Sequence, residues 1–501
     1  RQSRHLMFHF CLFTLQDPHS LSCSLNPLSF AKSEHEKPIT MNHPIGHMAR
    51  ACFTIASALT MLIADVAFAT AAEPPNIVLI ISDDQAWSDY SFMGHDVIET
   101  PNLDKLARES VLFRRGYVPT ALCRPSLATL LTGHYASVHG ITGNDPSPKH
   151  APRNSPLYNE RRAKLISYLD RFETLPELLG QRGYLSHQCG KHWEGSFSNA
   201  GFTLGMTRGF PQPGGRHGDD GLKIGREGMQ PIADFLTDAT SQQKPFFLWY
   251  APFLPHTPHT PPERLLKKYR SDDLPPSVAK YYAMCEWFDE TCGELVRLLE
   301  EQGVAENTLI VYVTDNGWIQ NPEANGYAPR SKQTPYEGGV RTPIFFHWPS
   351  QLKPADRPEL VSSIDIMPTI LAAAGAKQPA DLPGLNLWPN LKMGNPIPRE
   401  RIFGEGFAHD IADVDDPEAS LLYRWCIEGK WKLLLTYDGE VNRYWSSHPR
   451  DEKRPQLFDL IADPNETRNL AADHPEVVAR LAQAIEQWYP VTKRKTVTVY
   501  E

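Results

Sequence analysis

The chain has 501 residues, a net charge of -9, and 41% apolar and 22% charged residues, proportions that exclude fibrous and disordered classes. Its length suits one large domain plus a smaller one, and its acidic balance weighs against a nucleic-acid partner, which would need a basic surface. Residues 1–40, beginning at Arg1, are rich in His, Ser and Phe without helical or strand periodicity and read as an upstream extension or a fragment. From Met41 or Met48 there follow a weakly basic start (His47, Arg50), an apolar run from Ala51 to Ala69 broken by Asp65, and small residues before Glu73. This pattern predicts a secretory signal cleaved near Ala69 to Ala72, and a periplasmic or secreted location. A retained anchor is the alternative, though the run is only marginally long enough to span a bilayer. No later segment reads as transmembrane, so no stable membrane association is expected. Cys123, Cys189, Cys285, Cys292 and Cys426 lie beyond that cleavage, an odd number without zinc-type spacing, which predicts no disulfide framework.

Asn76-Ile-Val-Leu-Ile-Ile-Ser82 is a continuous apolar run, as in a strand buried on both faces of a parallel sheet, and it ends at Asp83-Asp84. A helix is predicted from Pro101 to Ser110. The stretch Ala121-Leu-Cys-Arg-Pro-Ser-Leu-Ala-Thr-Leu-Leu-Thr-Gly133 predicts a short helix, since Pro125 suits a first turn and Gly133 a helix end. Cys123 then lies where unpaired amide hydrogens and the helix dipole favour an anion. Its chemical reading competes with that of a buried apolar cysteine. The polar stretch Asn144 to Arg162 and the Gly-rich stretch Gly205 to Gly228 read as surface insertions near the site. Between them, Leu175 to Arg182 is helical. Next come a strand at Phe246–Ala251, a helix from Lys280 to Gln302, and a second continuous apolar strand, Asn307–Thr314, that ends at Asp315-Asn316-Gly317. A strand at Thr342–His347 and a helix from Ile366 to Ala374 complete an alternation that implies a doubly wound α/β domain.

The Pro-rich segment Lys377 to Pro398 is the expected boundary, dividing residues 73–390, the catalytic domain, from a smaller α+β subdomain at 391–501. Strands at Leu421–Ile427 and Trp431–Tyr437 and a helix from Pro475 to Trp488 are predicted there. In parallel sheets ligands gather at the carboxyl ends of strands. An Asp or Asn pair after one strand is ordinary turn chemistry, but here Asp83, Asp84, Asp315 and Asn316 follow two such strands. Four oxygen donors with no neighbouring histidine suit a hard ion, calcium or magnesium, better than zinc.

Cys123-Arg-Pro-Ser126 followed by Leu131-Thr-Gly133 resembles the sulfatase signature. Its position between Asp83-Asp84 and Asp315-Asn316-Gly317 follows the order of that family's motifs. Thr100-Pro-Asn-Leu-Asp104, Gly190-Lys191, Pro255-His256-Thr-Pro258, Lys332 before Tyr336-Glu-Gly-Gly-Val-Arg341, Asp365-Ile-Met-Pro-Thr369 and Leu457-Phe-Asp-Leu460 extend the resemblance from about Asn76 to Leu470. The resemblance implies an alkaline-phosphatase-like fold, with a large, mostly parallel sheet flanked by helices, and hydrolysis of sulfate monoesters. It further implies that a maturating enzyme oxidises Cys123 to formylglycine and that one calcium binds Asp83, Asp84, Asp315 and Asn316. Lys191 and Lys332 would bind sulfate oxygens, and His256 would protonate the departing oxygen. An exported sulfatase with polar insertions around its mouth suits sulfated saccharides, and simple aryl sulfates fit the same chemistry.

Two positions depart from the family pattern. Leu127 replaces the Arg that usually follows the cysteine by four residues, leaving Arg124, Arg114 or Arg115 to supply its charge. Gly190-Lys191-His192-Trp193-Glu194 puts Trp193 in the slot of a usual histidine, so that role falls to His192, to Glu194 or to a residue elsewhere. The rival enzymatic reading is a phosphodiester or phosphonate hydrolase of the same superfamily. From another class comes an inactive binding protein for sulfated glycans. A third reading makes Cys123 itself a thiolate nucleophile, although no neighbouring Cys-His arrangement favours it.

Overall fold

A computed structural model describes residues 73–437 and 454–496. The extension and signal expected within 1–72 lie outside the described residues. Among those described, no helix is long and apolar enough to cross a membrane. All five cysteines from Cys123 onward are free and buried.

Six strands form the body of the main sheet: β1 (Asn76–Ser82), β2 (Val111–Tyr117), β3 (Leu185–Gly190), β4 (Phe246–Ala251), β5 (Thr308–Thr314) and β6 (Arg341–His347). They lie in the order β2-β6-β5-β1-β4-β3, with short edge pieces at either end. β5, β1, β4 and β3 run parallel, whereas β6 runs antiparallel to both neighbours. Every residue of β1, β4 and β5 is buried, as their continuous apolar runs require.

Alternation sends Ile77, Leu79 and Ile81 to one face and Val78 and Ile80 to the other. The first face packs on α2 (Cys123–Thr132), α3 (Leu175–Gly180) and α6 (Ile366–Ala373) through Leu130, Leu178 and Ile370. The second packs on α1 (Pro101–Arg108), α4 (Gln230–Ser241) and α5 (Pro276–Glu301) through Leu103, Phe235 and Phe288. The result is the α/β sandwich expected from the strand-helix alternation.

The C-terminal part is a four-stranded antiparallel sheet of β7 (Arg401–Phe407), β8 (Leu421–Glu428), β9 (Trp431–Thr436) and β10 (Gln456–Asp459). One face carries α7 (Pro475–Trp488) on Cys426, Leu433 and Leu457. The other places Trp425, Leu434 and Phe458 in the core that also holds Ile77 and Leu79, so apolar packing is continuous past the Pro-rich segment.

The segment 144–162 is a surface insertion only in part: Lys149, Arg153 and Glu160 are exposed, whereas its ends are buried. Asp145 is wholly buried and binds Arg162 at 2.7 Å and Arg216 at 2.6 Å, and residues Pro156–Ser167 form a helix. Asp145 and Arg162 form a buried ion-pair network, which a reading by hydropathy assigns to solvent.

His187 on β3 illustrates a cost of burial. Both ring nitrogens are buried without hydrogen-bond partners among the described residues, and burial pushes the imidazole down to about 4. Its folded-state value is thus below the unfolded one of about 6.5. Between these values the unfolded chain binds a proton that the fold refuses, so stability is complete above pH 6.5 and falls toward pH 4, by at most about 3 kcal/mol from this group. His187→Leu is expected to lessen the loss of urea resistance between pH 7 and pH 5; an unchanged loss would show that the site relaxes to solvate the charge.

Candidate active site

The site begins with register. Ser82 at the end of β1 stands opposite Thr314 at the end of β5, so Asp83-Asp84 and Asp315-Asn316 leave neighbouring parallel strands at one level. The Asp315 N–H donates to Ser82 O at 2.9 Å, and the Asp84 N–H donates to Asp315 Oδ1 at 3.1 Å. Asn316 Nδ2 donates to Asp84 Oδ1 at 2.7 Å. Asp84 has φ of 65°, an uncommon backbone state for a residue with a side chain. All four residues are buried. One oxygen from each (Asp83 Oδ2, Asp84 Oδ2, Asp315 Oδ2 and Asn316 Oδ1) has no hydrogen-bond partner among the described residues. Buried oxygens without hydrogen bonds are costly unless a cation takes them; Asp84 Oδ2 and Asp315 Oδ2 have only His256 Nε2 at 3.3 Å and Lys191 Nζ at 3.5 Å nearby, and the donor set fits a hard divalent ion.

Cys123 is the first residue of α2, whose end is the left-handed Gly133 (φ 72°). Its Sγ lies 3.9 Å from Asp84 Oδ1 and 3.1 Å from Lys332 Nζ. Ligand atoms of Asp83, Asp84, Cys123 and His256 all fall within 4.8 Å of one another. Lys332 Nζ bonds Asp84 Oδ1 at 2.5 Å, and Lys191 Nζ bonds Asp83 Oδ1 at 2.5 Å and approaches Asp315 Oδ2 at 3.5 Å. Lys191 is aimed by Gly190 (φ 90°), where a Cβ would fall 1.8 Å from Ala251 O. Lys332 is set against Cys123 by the Gln333 N–H, which donates to Ala121 O at 2.8 Å.

Burial raises the Asp84 carboxyl, but Lys332, His256 and Lys191 outweigh it and hold the group below the usual carboxylate range. Burial disfavours the charge on Lys191, yet the carboxylates of Asp83, Asp315 and Asp84 keep it protonated. The Cys123 thiol is pushed up to about 12 by burial, against the pull of Lys191 and Lys332. An unmodified Cys123 is therefore a neutral thiol at physiological pH, which counts against the direct-thiolate reading.

His256 presents Nε2 to Asp84 Oδ2 at 3.3 Å, its Nδ1 lies 2.5 Å from Thr257 O, and its ring stacks on Phe253 at 4.2 Å. Of the residues expected from sequence, the structure thus brings together Asp83, Asp84, Asp315, Asn316, Cys123, Lys191, Lys332 and His256. It does not bring in His192. That ring faces Phe202 at 6.2 Å, its Nε2 has no partner among the described residues, and burial pushes it down to about 4. β3 ends at Gly190 (φ 90°), and of the two residues that follow, only Lys191 reaches the carboxylates. Glu194 is equally unavailable, since both its oxygens take the buried Arg124 guanidinium at 2.7 Å. Arg124 is thereby committed too, Arg114 bonds Asp356, and Arg115 bonds Gly429 O, so none of these arginines replaces the charge missing at Leu127, itself a core residue.

A histidine that the sequence did not single out, His217, packs at the edge of the site. Its ring lies 5.2 Å from Trp193 and 5.4 Å from Phe253, one aromatic plate removed from His256, and Lys191 Nζ sits 5.8 Å from the same Phe253 centroid. Burial first, then the charges of Lys191 and Arg216, push this imidazole down to about 3, so it is neutral. Its Nδ1 is buried without a hydrogen-bond partner among the described residues. The Gly-rich segment was the only signal, and it names no residue.

The sulfatase family matches residues 75–376, and the C-terminal family of N-sulphoglucosamine sulphohydrolase matches residues 330–489. Arylsulfatase A of Bos taurus is 30% identical over 483 residues, covering 85% of this chain and 89% of that protein. N-acetylgalactosamine-6-sulfatase of Homo sapiens is 28% identical over 467 residues, covering 83% and 86%. Among solved structures, that of Ps i-CgsB is similar with a TM-score of 0.64 and 25% identity, covering 83% of this chain and 93% of that one.

Proposed function

We propose, from the premise that this chain belongs to the sulfatase family and is a sulfuric ester hydrolase of the alkaline-phosphatase-like superfamily, that it releases inorganic sulfate from a sulfated carbohydrate. Cys123 is converted to formylglycine by a maturating enzyme, and one calcium is held by Asp83, Asp84, Asp315 and Asn316. The observation that carries this reading is the set of four orphaned buried oxygens, one from each of those residues, beside Cys123 and two lysines. When present, the calcium supplies positive charge toward sulfate oxygens and the formylglycine supplies a hydrated aldehyde as nucleophile.

The chain's own residues do the rest. Lys191 and Lys332 stay protonated and offer donors to the sulfate oxygens, forming with the start of α2 a cationic pocket suited to one tetrahedral anion. His256 gives its Nδ1–H to Thr257 O, so Nε2 can deliver a proton to the departing alcohol oxygen only from the doubly protonated ring, a state that burial opposes, pushing the imidazole well below its ordinary value, and that Asp84 favours. Saccharide substrates are favoured by the relatives named above. Export is proposed from residues 51–72, and the division into a catalytic domain at 73–390 and a C-terminal subdomain at 391–501 is retained.

Sulfate release from a panel of sulfated saccharides and aryl sulfates, run beside phosphodiesters, tests the reading. Phosphodiesters cleaved far faster than any sulfate would move the assignment to the phosphohydrolase branch. Fully converted protein that cleaves neither would favour the binding-protein reading. Lys332→Ala is expected to lower turnover roughly tenfold to thousandfold, the usual range for losing one oxyanion-stabilising group; a smaller fall would mean that Lys332 serves packing.

A further inference from the structure

We infer that Arg226 is a positioning residue that holds His256 over the site, an inference that rests on the role given to His256 above. The segment 252–262 carrying His256 contains five prolines, at positions 252, 255, 258, 261 and 262. Proline has no N–H to donate. Among the described residues, no backbone N–H of this segment bonds a carbonyl of the same segment. Its anchors are external. The Asp83 N–H donates to Leu254 O at 3.0 Å, and Arg226 supplies most of the others.

The guanidinium of Arg226 fans across the loop. Nε donates to Phe253 O at 2.8 Å, Nη2 to His256 O at 2.8 Å, and Nη1 to Pro258 O at 3.3 Å and Thr260 Oγ1 at 3.2 Å. Its Cζ lies 5.2 Å from the Phe253 ring centroid, and Phe253 is the plate on which the His256 imidazole stacks. One planar cation thus fixes both the backbone of His256 and the surface beneath its ring. Only arginine has this geometry, since lysine presents a single point of donation and cannot span three carbonyls.

Arg226 also gives the Gly-rich segment a role. That segment carries His217 against one side of Phe253 and Arg226 against the same residue's carbonyl, tying two distant stretches of chain into one wall of the site.

A group that only positions His256 matters in proportion to how much the departing oxygen needs a proton. Arg226→Lys and Arg226→Gln are therefore expected to slow hydrolysis of an unactivated sugar or alkyl sulfate by tenfold or more, on the order of the cost of misplacing a catalytic group. Hydrolysis of 4-nitrophenyl sulfate, whose leaving group departs unaided, should change little. In an Arg226→Gln, His256→Ala double variant, the selective loss should not exceed that of His256→Ala alone. Equal losses on both esters, or fully additive ones, would overturn the proposal.

A second readout does not depend on turnover. Hydrogen exchange at the amides of Phe253, His256, Thr257 and Thr260 should quicken in Arg226→Gln while the main sheet keeps its protection. Unchanged exchange there overturns the positioning claim even if the native enzyme cleaves sulfate. Faster exchange with a native enzyme that cleaves neither ester would leave the loop anchor standing and remove the sulfatase reading on which its purpose rests.

Discussion

Cys123→Ala is expected to leave only a trace of sulfate release, a loss on the order of a millionfold if it matches removal of a nucleophile from other hydrolases. The site around it is otherwise preserved in that variant, because Lys332 and Lys191 keep their carboxylate partners at 2.5 Å. Turnover should therefore vanish without loss of the cooperative thermal transition. The same logic separates the modified from the unmodified residue in native protein. A thiol pushed up to about 12 and shut in by burial is a poor nucleophile at neutral pH, so activity should rise in proportion to the fraction of peptide 123 found as formylglycine by mass spectrometry. Conversion is expected to be poor in a foreign host, because Leu127 departs from the usual pattern. Active native protein with only unmodified cysteine would sink both the formylglycine assignment and the chemistry built on it.

The framework of the site was legible because it lies on strands and on one helix. Continuous apolar runs marked β1 and β5 as doubly buried, and residues just past their carboxyl ends had to emerge at one sheet edge. Pro125 and Gly133 marked both ends of α2. What escaped lies where chain neighbours are not spatial neighbours. Nothing in the spacing of Gly205 to Gly228 tells that His217 reaches Trp193 or that Arg226 reaches Phe253. Asp145 looked solvated because its partners Arg162 and Arg216 sit 17 and 71 residues away. His192 misled for a related reason. Its neighbour Lys191 is at the site, but the His192 ring packs toward Phe202 instead.

Removing the metal should be as damaging as removing the nucleophile. Three carboxyl groups and two ammonium groups are buried together here, and four of the side-chain oxygens, though two of them face Lys191 and His256, have no hydrogen-bond partner among the described residues. Without the cation, Lys191 and Lys332 are held by Asp83 and Asp84 and are less able to serve an incoming sulfate. Chelator-treated protein is therefore expected to lose turnover and to regain it with calcium at one ion per chain. Asp84→Ala and Asp315→Ala should abolish turnover with the fold largely intact. Because an unpaired buried lysine is itself destabilising by several kcal/mol, Asp84→Asn is the cleaner companion, keeping shape while weakening the ligand. Stability gives a second measure. Calcium at about a hundred times its dissociation constant should stabilise the native protein by about 2.7 kcal/mol, seen as a rise in Tm that Asp84→Asn loses. Full activity after chelation, with no metal by elemental analysis and no calcium-dependent shift in Tm, would mean that the four oxygens serve some other partner and that the lysines alone carry the anion.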